Sequence, residues 1–334
     1  MRDVLKKQEN LDSQDYSGMH IKKKTKFYMQ WKKYLPIIGI ILFVYVLIKV
    51  DLGEVWQELL QVDIYYLLIS LVLVFIMLFI QTFKWHIIAV YQKIKIPYSE
   101  SFKINLITNF YGFITPSKLG TVLRAEYLRK YTGNFGKGFF NFVVDKILDI
   151  ASIIFTAIIF SFIFKDTLNV PMGIFISIFL IFVLGTLFFI KKERSEFVLR
   201  FFHKYLLPKK MKDRAKSVFD SFYDEVPKKR YFILFFLLNI INWIIIYLIT
   251  YFIGLSLGIN LGLIYYLAIL PIGTIVTMIP ISINGLGTRE ATLISLFALF
   301  GIGSAKVFSM SILSLVFSGI LPVVIALFFI WRKE

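Results

Sequence analysis

Thr115-Pro116-Ser117-Lys118-Leu119-Gly120-Thr121-Val122-Leu123-Arg124-Ala125-Glu126 and Pro280-Ile281-Ser282-Ile283-Asn284-Gly285-Leu286-Gly287-Thr288-Arg289-Glu290 carry one pattern. In both, a proline precedes Ser-x-x-Gly-x-x-x-Arg and a carboxylate follows the arginine closely. Each copy interrupts an intensely apolar stretch. An arginine near hydrocarbon costs on the order of 2.5–3.5 kcal/mol on insertion scales. Two of them, each introduced by helix-breaking residues, point to a paired intramembrane site. Asn109, Thr115 and Ser117 surround the break at Pro116, and Gly120 permits a tight turn or a close helix approach. Arg124 and Arg129 fall on the helix that leaves this break. Glu126, two residues from Arg124, does not share its face. In the second copy Ser282, Asn284, Gly285 and Gly287 open a helix whose exposed amides favour an anion. Arg289 adds a planar fork suited to phosphate, with Glu290 beside it. A blander reading stands next to this one. Interfacial arginines often only snorkel to headgroups, and this Gly-x-Gly follows no strand, so it is not a dinucleotide fingerprint. Recurrence of the pattern favours a site.

Outward from the motifs, the chain is 58% hydrophobic with a mean hydropathy of +0.74, against roughly 45–50% apolar residues in soluble domains. One soluble core cannot hide that much apolar surface, which indicates an integral membrane protein. With no cysteine, disulfides, thiolate metal sites and cysteine nucleophiles are excluded. His20, His86 and His203 lack metal-ligand spacing, so no metal or cofactor is expected. The net charge of +17 concentrates beside apolar runs, where positive-inside bias and anionic headgroups explain it without nucleic acid. The arm 1–34 holds Lys22, Lys23, Lys24, Lys26, Lys32 and Lys33 without an apolar run before Leu35. It reads as a cytoplasmic, mostly disordered tail that touches lipid, not a signal peptide.

Six runs suit membrane spans: 35–50, 64–84, 139–164, 170–190, 231–256 and 305–330. Two further apolar stretches, 101–115 and 262–280, each precede a motif. The 51–63 connection carries Asp51, Glu54, Glu58 and Asp63 and no Lys or Arg, so it belongs outside. Segments 84–103 and 118–137 are both basic, so the chain between them enters and leaves on one side as a re-entrant hairpin. Loop 191–230 holds thirteen Lys/Arg against six acids and belongs inside with the C-terminus. Parity then makes 257–304 begin and end outside, as a hairpin from the opposite face or a tight pair of full spans. The expected architecture is all-α: about six transmembrane helices plus two opposed re-entrant hairpins, arranged as an inverted repeat. Such repeats place substrate at the midplane where broken helices meet.

Other polar residues are less telling. Asp145 and Asp149 share a helix face and suit pairing with Arg124 or Arg129, with metal chelation or proton relay as the alternative. Gln81 and Lys84 read as the cytoplasmic end of the second span. Asn239, Asn242 and Trp243 suit either a cavity wall or interhelical hydrogen bonds. Phe197, Leu199, Phe201, Phe202, Phe219 and Phe222 make 191–230 an amphipathic candidate for the inner leaflet. No nucleophile elbow, Walker loop or Asp-rich metal motif occurs, so no catalytic residue is assigned.

Asn109-Phe110-Tyr111-Gly112-Phe113-Ile114-Thr115-Pro116-Ser117-Lys118-Leu119-Gly120-Thr121-Val122-Leu123-Arg124-Ala125-Glu126-Tyr127-Leu128 with Thr132-Gly133, Asp145-Lys146-Ile147-Leu148-Asp149, and the Pro280–Glu290 stretch resemble, in that order, three signatures of the lysylphosphatidylglycerol synthase transmembrane-region family. The resemblance covers about 35–330. It implies a lipid flippase or lipid-handling domain. Lys146 stands where an arginine often follows the acid in that family. Only Trp331-Arg332-Lys333-Glu334 follows the last span, so a stand-alone member without an aminoacyl-transferase domain is expected.

The leading expectation is therefore a translocator of the cytoplasmic membrane with both termini inside. It would handle an anionic or polyprenyl-phosphate lipid, with Arg124 and Arg289 on the phosphate, Glu126 and Glu290 orienting them or coupling to protons, and the glycines as hinges. Alternatives are a transferase acting on a lipid-linked sugar or aminoacyl donor, and a non-transporting accessory subunit. A second copy, or an enzyme of lipid or glycan synthesis, is a candidate partner. Lys/Ile/Phe-rich usage suggests a prokaryotic source.

Overall fold

A computed structural model describes residues 40–164, 172–189, 192–196, 209–224, 226–279, 282 and 285–331. The basic arm 1–34, Pro280, Asn284 and Phe197–Phe202 lie outside the described residues, as do the side chains of Pro116 and Ser117. Every described element is helical. In chain order they are α1 (Ile40–Lys49), α2 (Leu52–Leu60), α3 (Ile64–Tyr91), α4 (Tyr98–Phe113), a 3-10 turn (Pro116–Val122), α5 (Leu123–Thr132) and α6 (Phe135–Ile163). They continue with α7 (Met172–Phe189), α8 (Lys209–Phe222), α9 (Tyr231–Ser256), α10 (Leu263–Met278), α11 (Thr288–Ala298) and α12 (Ser304–Trp331). A π-helical turn at Val316–Ile320 lies within α12.

Local chemistry sets these boundaries. Asp51 Oδ1 accepts from Gly53 N at 2.8 Å and starts α2. Asp63 Oδ1 accepts from Tyr65 N at 2.9 Å and starts α3. Asn134 caps α6 through Lys137 N, and Gly133 ends α5 with a left-handed φ of 74°.

Four helices, α3, α6, α9 and α12, are long and apolar enough to cross a membrane. At 26 to 29 residues they reach about 39–44 Å, against a hydrocarbon core of roughly 30 Å. The apolar run expected to end at 84 continues to Tyr91, so Gln81 and Lys84 are not at a helix end. The reason lies in the seven residues after Lys84, Trp85 to Tyr91, which keep the helix apolar. The run 231–256 coincides with α9. α4 and α10, at 16 residues each, reach only about 24 Å.

The helices pack by a simple rule: adding six to each helix number converts one contact into another. α4 lies on α12 as α10 lies on α6, and α5 lies on α6 as α11 lies on α12. α2 meets α12 as α8 meets α6, and α3 meets α6 as α9 meets α12. α7 packs on α6, while Val46 of α1 and Val50 just after it pack with Ala305 and Phe308 of α12. α3 and α9, counterparts of each other, form the central pair. There Ser70 Oγ donates to Ile249 O at 3.3 Å.

Candidate functional site

The break after α4 is held by one hydroxyl. Thr115 Oγ1 donates to Tyr111 O at 2.8 Å and accepts from Gly120 N at 2.7 Å. A Cβ on Gly120 would fall 2.1 Å from Tyr111 O, so the closure requires glycine. Lys118 sits inside this turn at φ 55°, a left-handed conformation uncommon for a side-chain-bearing residue.

The break before α11 uses glycine instead, with Gly285 at φ 79° and Gly287 at φ 82°. Glu290 folds back to accept from Gly287 N at 2.6 Å. Its other oxygen pairs with Arg289 Nη2 at 3.0 Å and accepts from Ser311 Oγ at 2.9 Å. Arg289 also donates to Ser311 Oγ and Ser311 O, both at 2.9 Å. Ser282, fully buried, shares a hydrogen bond with Thr288 at 3.0 Å. The amides expected to greet an external anion thus already have an internal carboxylate at Gly287.

Between the two breaks lies a cavity of about 170 Å³. Its walls come from α3, α4, α9, α10, α11, α12 and the 3-10 turn, and include Asn109, Gln81, Lys118, Thr274 and Arg289. Small-molecule pockets commonly hold roughly 300–1,000 Å³. This one is smaller than that range.

Arg124 is elsewhere. It is 4% exposed, with Nη2 2.7 Å from Asp145 Oδ2 and its guanidinium over the Trp85 ring at 5.0 Å. Lys84, from α3, lies 3.0 Å from both Asp145 and Asp149 and donates to Asn239 Oδ1 at 2.8 Å. Trp243 Nε1 donates to Asp149 Oδ1 at 3.0 Å, and Lys146 lies 3.7 Å from Asp149. These residues tie α3, α5, α6 and α9 together in one buried ionic cluster. Trp243 belongs to this cluster and also to the cavity wall.

The expected residues thus divide into separate groups. Asn109 and Arg289 reach the cavity, Asp145, Asp149 and Arg124 form the cluster, and Thr115 and Gly120 build the turn. Glu126 meets Arg129 at 2.5 Å in a half-exposed surface pair and does not touch Arg124. The expectation that both arginines face one hollow is corrected. The helix leaving the first break turns Arg124 towards Asp145 on α6, while Lys118 faces the cavity. Lys118 and Lys84 were not singled out as site residues. Uninterrupted apolar residues past Lys84 were the available signal for the second. Lys118 lies inside the motif itself, and its direction depends on the turn. Among the described residues no group of three or more His, Asp or Glu could hold a metal ion.

Four helices long and apolar enough to cross a membrane define a multi-pass α-helical membrane protein. Residues 35–326 match the lysylphosphatidylglycerol synthase TM region, and the chain belongs to that family. The family name ties such proteins to membrane-lipid metabolism. A comparison with curated proteins finds no match.

Proposed function

We propose that this protein is a lipid translocator. It carries a phosphate-bearing lipid, either a phospholipid or a polyprenyl-phosphate-linked lipid, between the leaflets of the cytoplasmic membrane. The headgroup passes through the cavity while the acyl chains stay in the bilayer. The observation that carries this reading is the hollow among apolar spans that is lined by two cations, Lys118 and Arg289, and by amide and hydroxyl side chains. A hollow of this kind is expensive in hydrocarbon unless it serves a polar substrate.

Re-entrant hairpins from opposite faces fit the same reading. α4–α5 and α10–α11 are helix–turn–helix units whose limbs are too short to span, and their packing is exchanged by the six-helix shift. Charge supports an inverted arrangement. α2 carries Glu54 and Glu58 and no Lys or Arg, while its counterpart α8 carries Lys209, Lys210, Lys212, Arg214 and Lys216. Basic ends mark the inside, so the two halves lie upside down relative to each other with both termini cytoplasmic. Residues 1–34 then form a cytoplasmic basic tail, and 35–334 the translocating domain with its cytoplasmic loop 191–230.

Reconstitution into liposomes carrying fluorescent phospholipids tests the proposal. Protein-dependent movement of label between leaflets is expected. Wild-type proteoliposomes that protect the inner-leaflet label as fully as protein-free ones would refute it.

A further inference from the structure

Two cations line the cavity, Lys118 and Arg289, and no Asp or Glu occurs among its described lining residues. The two are not equivalent. Arg289 is neutralised where it stands by Glu290 at 3.0 Å, and it donates hydrogen bonds to both oxygens of Ser311. Lys118 has no ion-pair or side-chain hydrogen-bond partner among the described residues; it is exposed and lines the cavity. Of the charges acting on it, Lys146, Arg289 and Lys84 repel it and Asp149 attracts it.

The ionic cluster behind the cavity wall does not supply a counter-ion. It holds three cations (Lys84, Arg124, Lys146) against two carboxylates, Asp145 and Asp149. Both carboxylates are already engaged there. An ammonium in a hollow surrounded by apolar helices is unfavourable unless an anion joins it.

The backbone makes the same point independently. Lys118 holds φ 55°, a conformation that glycine adopts freely and a side-chain-bearing residue resists. Among the described residues of the second break, the left-handed positions are Gly285 and Gly287. The first break keeps a lysine in such a position, in spite of the strain, where its ammonium reaches the cavity.

Neutral donors complete the setting. The Gln81 carbonyl accepts from Asn109 Nδ2 at 2.7 Å, which leaves the Gln81 amide N–H groups for a ligand. Ser318 Oγ lines the cavity and is buried without a partner. An ammonium plus amide and hydroxyl donors is the set that receives phosphate oxygens. A headgroup ammonium would meet Lys118 and no carboxylate.

We infer that Lys118 is the phosphate-binding cation of the cavity, and that the cavity selects lipids with a net anionic headgroup against aminoacylated, cationic ones. This rests on the translocator reading and names its substrate class.

The test is a comparison of initial leaflet-exchange rates in proteoliposomes with acyl-labelled phosphatidylglycerol and acyl-labelled lysyl-phosphatidylglycerol. Wild-type protein should move the first at least about tenfold faster, the ratio expected when a single charge-assisted hydrogen bond is made or missing. Lys118→Asn removes the charge and suits the left-handed backbone, so it should fold. It should slow phosphatidylglycerol about tenfold and abolish the preference. Lys103→Gln, which removes an exposed partner of Glu100 on α4, should leave both rates unchanged. Equal rates, or faster lysyl-phosphatidylglycerol, with wild-type protein would overturn the charge selection while leaving translocation intact. No movement of either lipid would instead overturn the translocator reading. Lys118→Asn that retains wild-type rates and preference would remove Lys118 from the site. The wild-type comparison stands even if the variant fails to fold.

Discussion

Replacing Asp145 with asparagine should destabilise the protein more than any exposed charge change. Asp145 is 3% exposed and lies 2.7 Å from Arg124 and 3.0 Å from Lys84. At an effective dielectric of about 20, a pair 3 Å apart attracts by roughly 5.5 kcal/mol before desolvation is counted. Desolvation offsets part of that, and orphaning one member of a buried pair leaves a net loss of about 3–5 kcal/mol. Asp145→Asn leaves Lys84, Arg124 and Lys146 facing the single carboxylate of Asp149, so the loss should sit at the upper end. Thermal unfolding in detergent, followed by tryptophan fluorescence, reads it out. On the scale where 1 kcal/mol moves a 150–250-residue domain by about 2–4 °C, Tm should fall by on the order of 10 °C. The exposed pair Lys103–Glu100 provides the control, since Lys103→Gln should change stability by about 0–1 kcal/mol. Arg124→Met combined with Asp145→Leu should be milder than Asp145→Leu alone, because it removes the stranded guanidinium along with its partner. Asp145→Asn melting together with Lys103→Gln, or a double variant no milder than Asp145→Leu alone, would refute the reasoning.

Three other outcomes follow from particular contacts. Gly120→Ala places a methyl 2.1 Å from Tyr111 O and should lower stability by about 1–3 kcal/mol or more, measured in the same melt; an unchanged Tm would contradict the tight closure. Glu290→Ala removes the acceptor for Gly287 N and the partner of Arg289. It should cost at least about 2 kcal/mol, with Glu290→Gln between it and wild type, and the reverse order would contradict the cap. Because the chain contains no cysteine, Glu58→Cys and Lys216→Cys can be labelled singly by a membrane-impermeant maleimide. Label reaching them from opposite sides of oriented vesicles is expected, and label reaching both from one side would refute the inverted arrangement.

The helices were legible in the sequence because their signals are local. Continuous apolar runs gave α9 to the residue, and the Pro and Gly positions marked both breaks. The cluster was not legible, because its members are far apart in the chain. Arg124 and Asp145 are 21 positions apart, and Lys84 and Asn239 are 155 apart. Periodicity within one helix cannot pair such residues. Which cation faces the hollow was hidden for a different reason. Lys118, inside the 3-10 turn, and Arg124, just beyond it on α5, are six residues apart, and the pitch of the turn, not the residue types, decides which one points inward. Arg289 does line the cavity, but its hydrogen bonds to Ser311 on α12 needed tertiary contacts to be seen.

The six-helix shift has a mechanical consequence. Since each element already sits among the kinds of neighbours its counterpart has, the two halves can trade postures without inventing an interface. Two resting shapes related by that trade would differ in energy only where corresponding fastenings differ. One fastening joins Arg124 to an acid on α6, and the other joins Arg289, already paired with Glu290 beside it, to the hydroxyl and carbonyl of Ser311 on α12. A disparity of about 1.4 kcal/mol between them would bias the resting population tenfold. Were the protein to carry cargo as proposed, the unequal fastenings would return it to one orientation once that cargo had left.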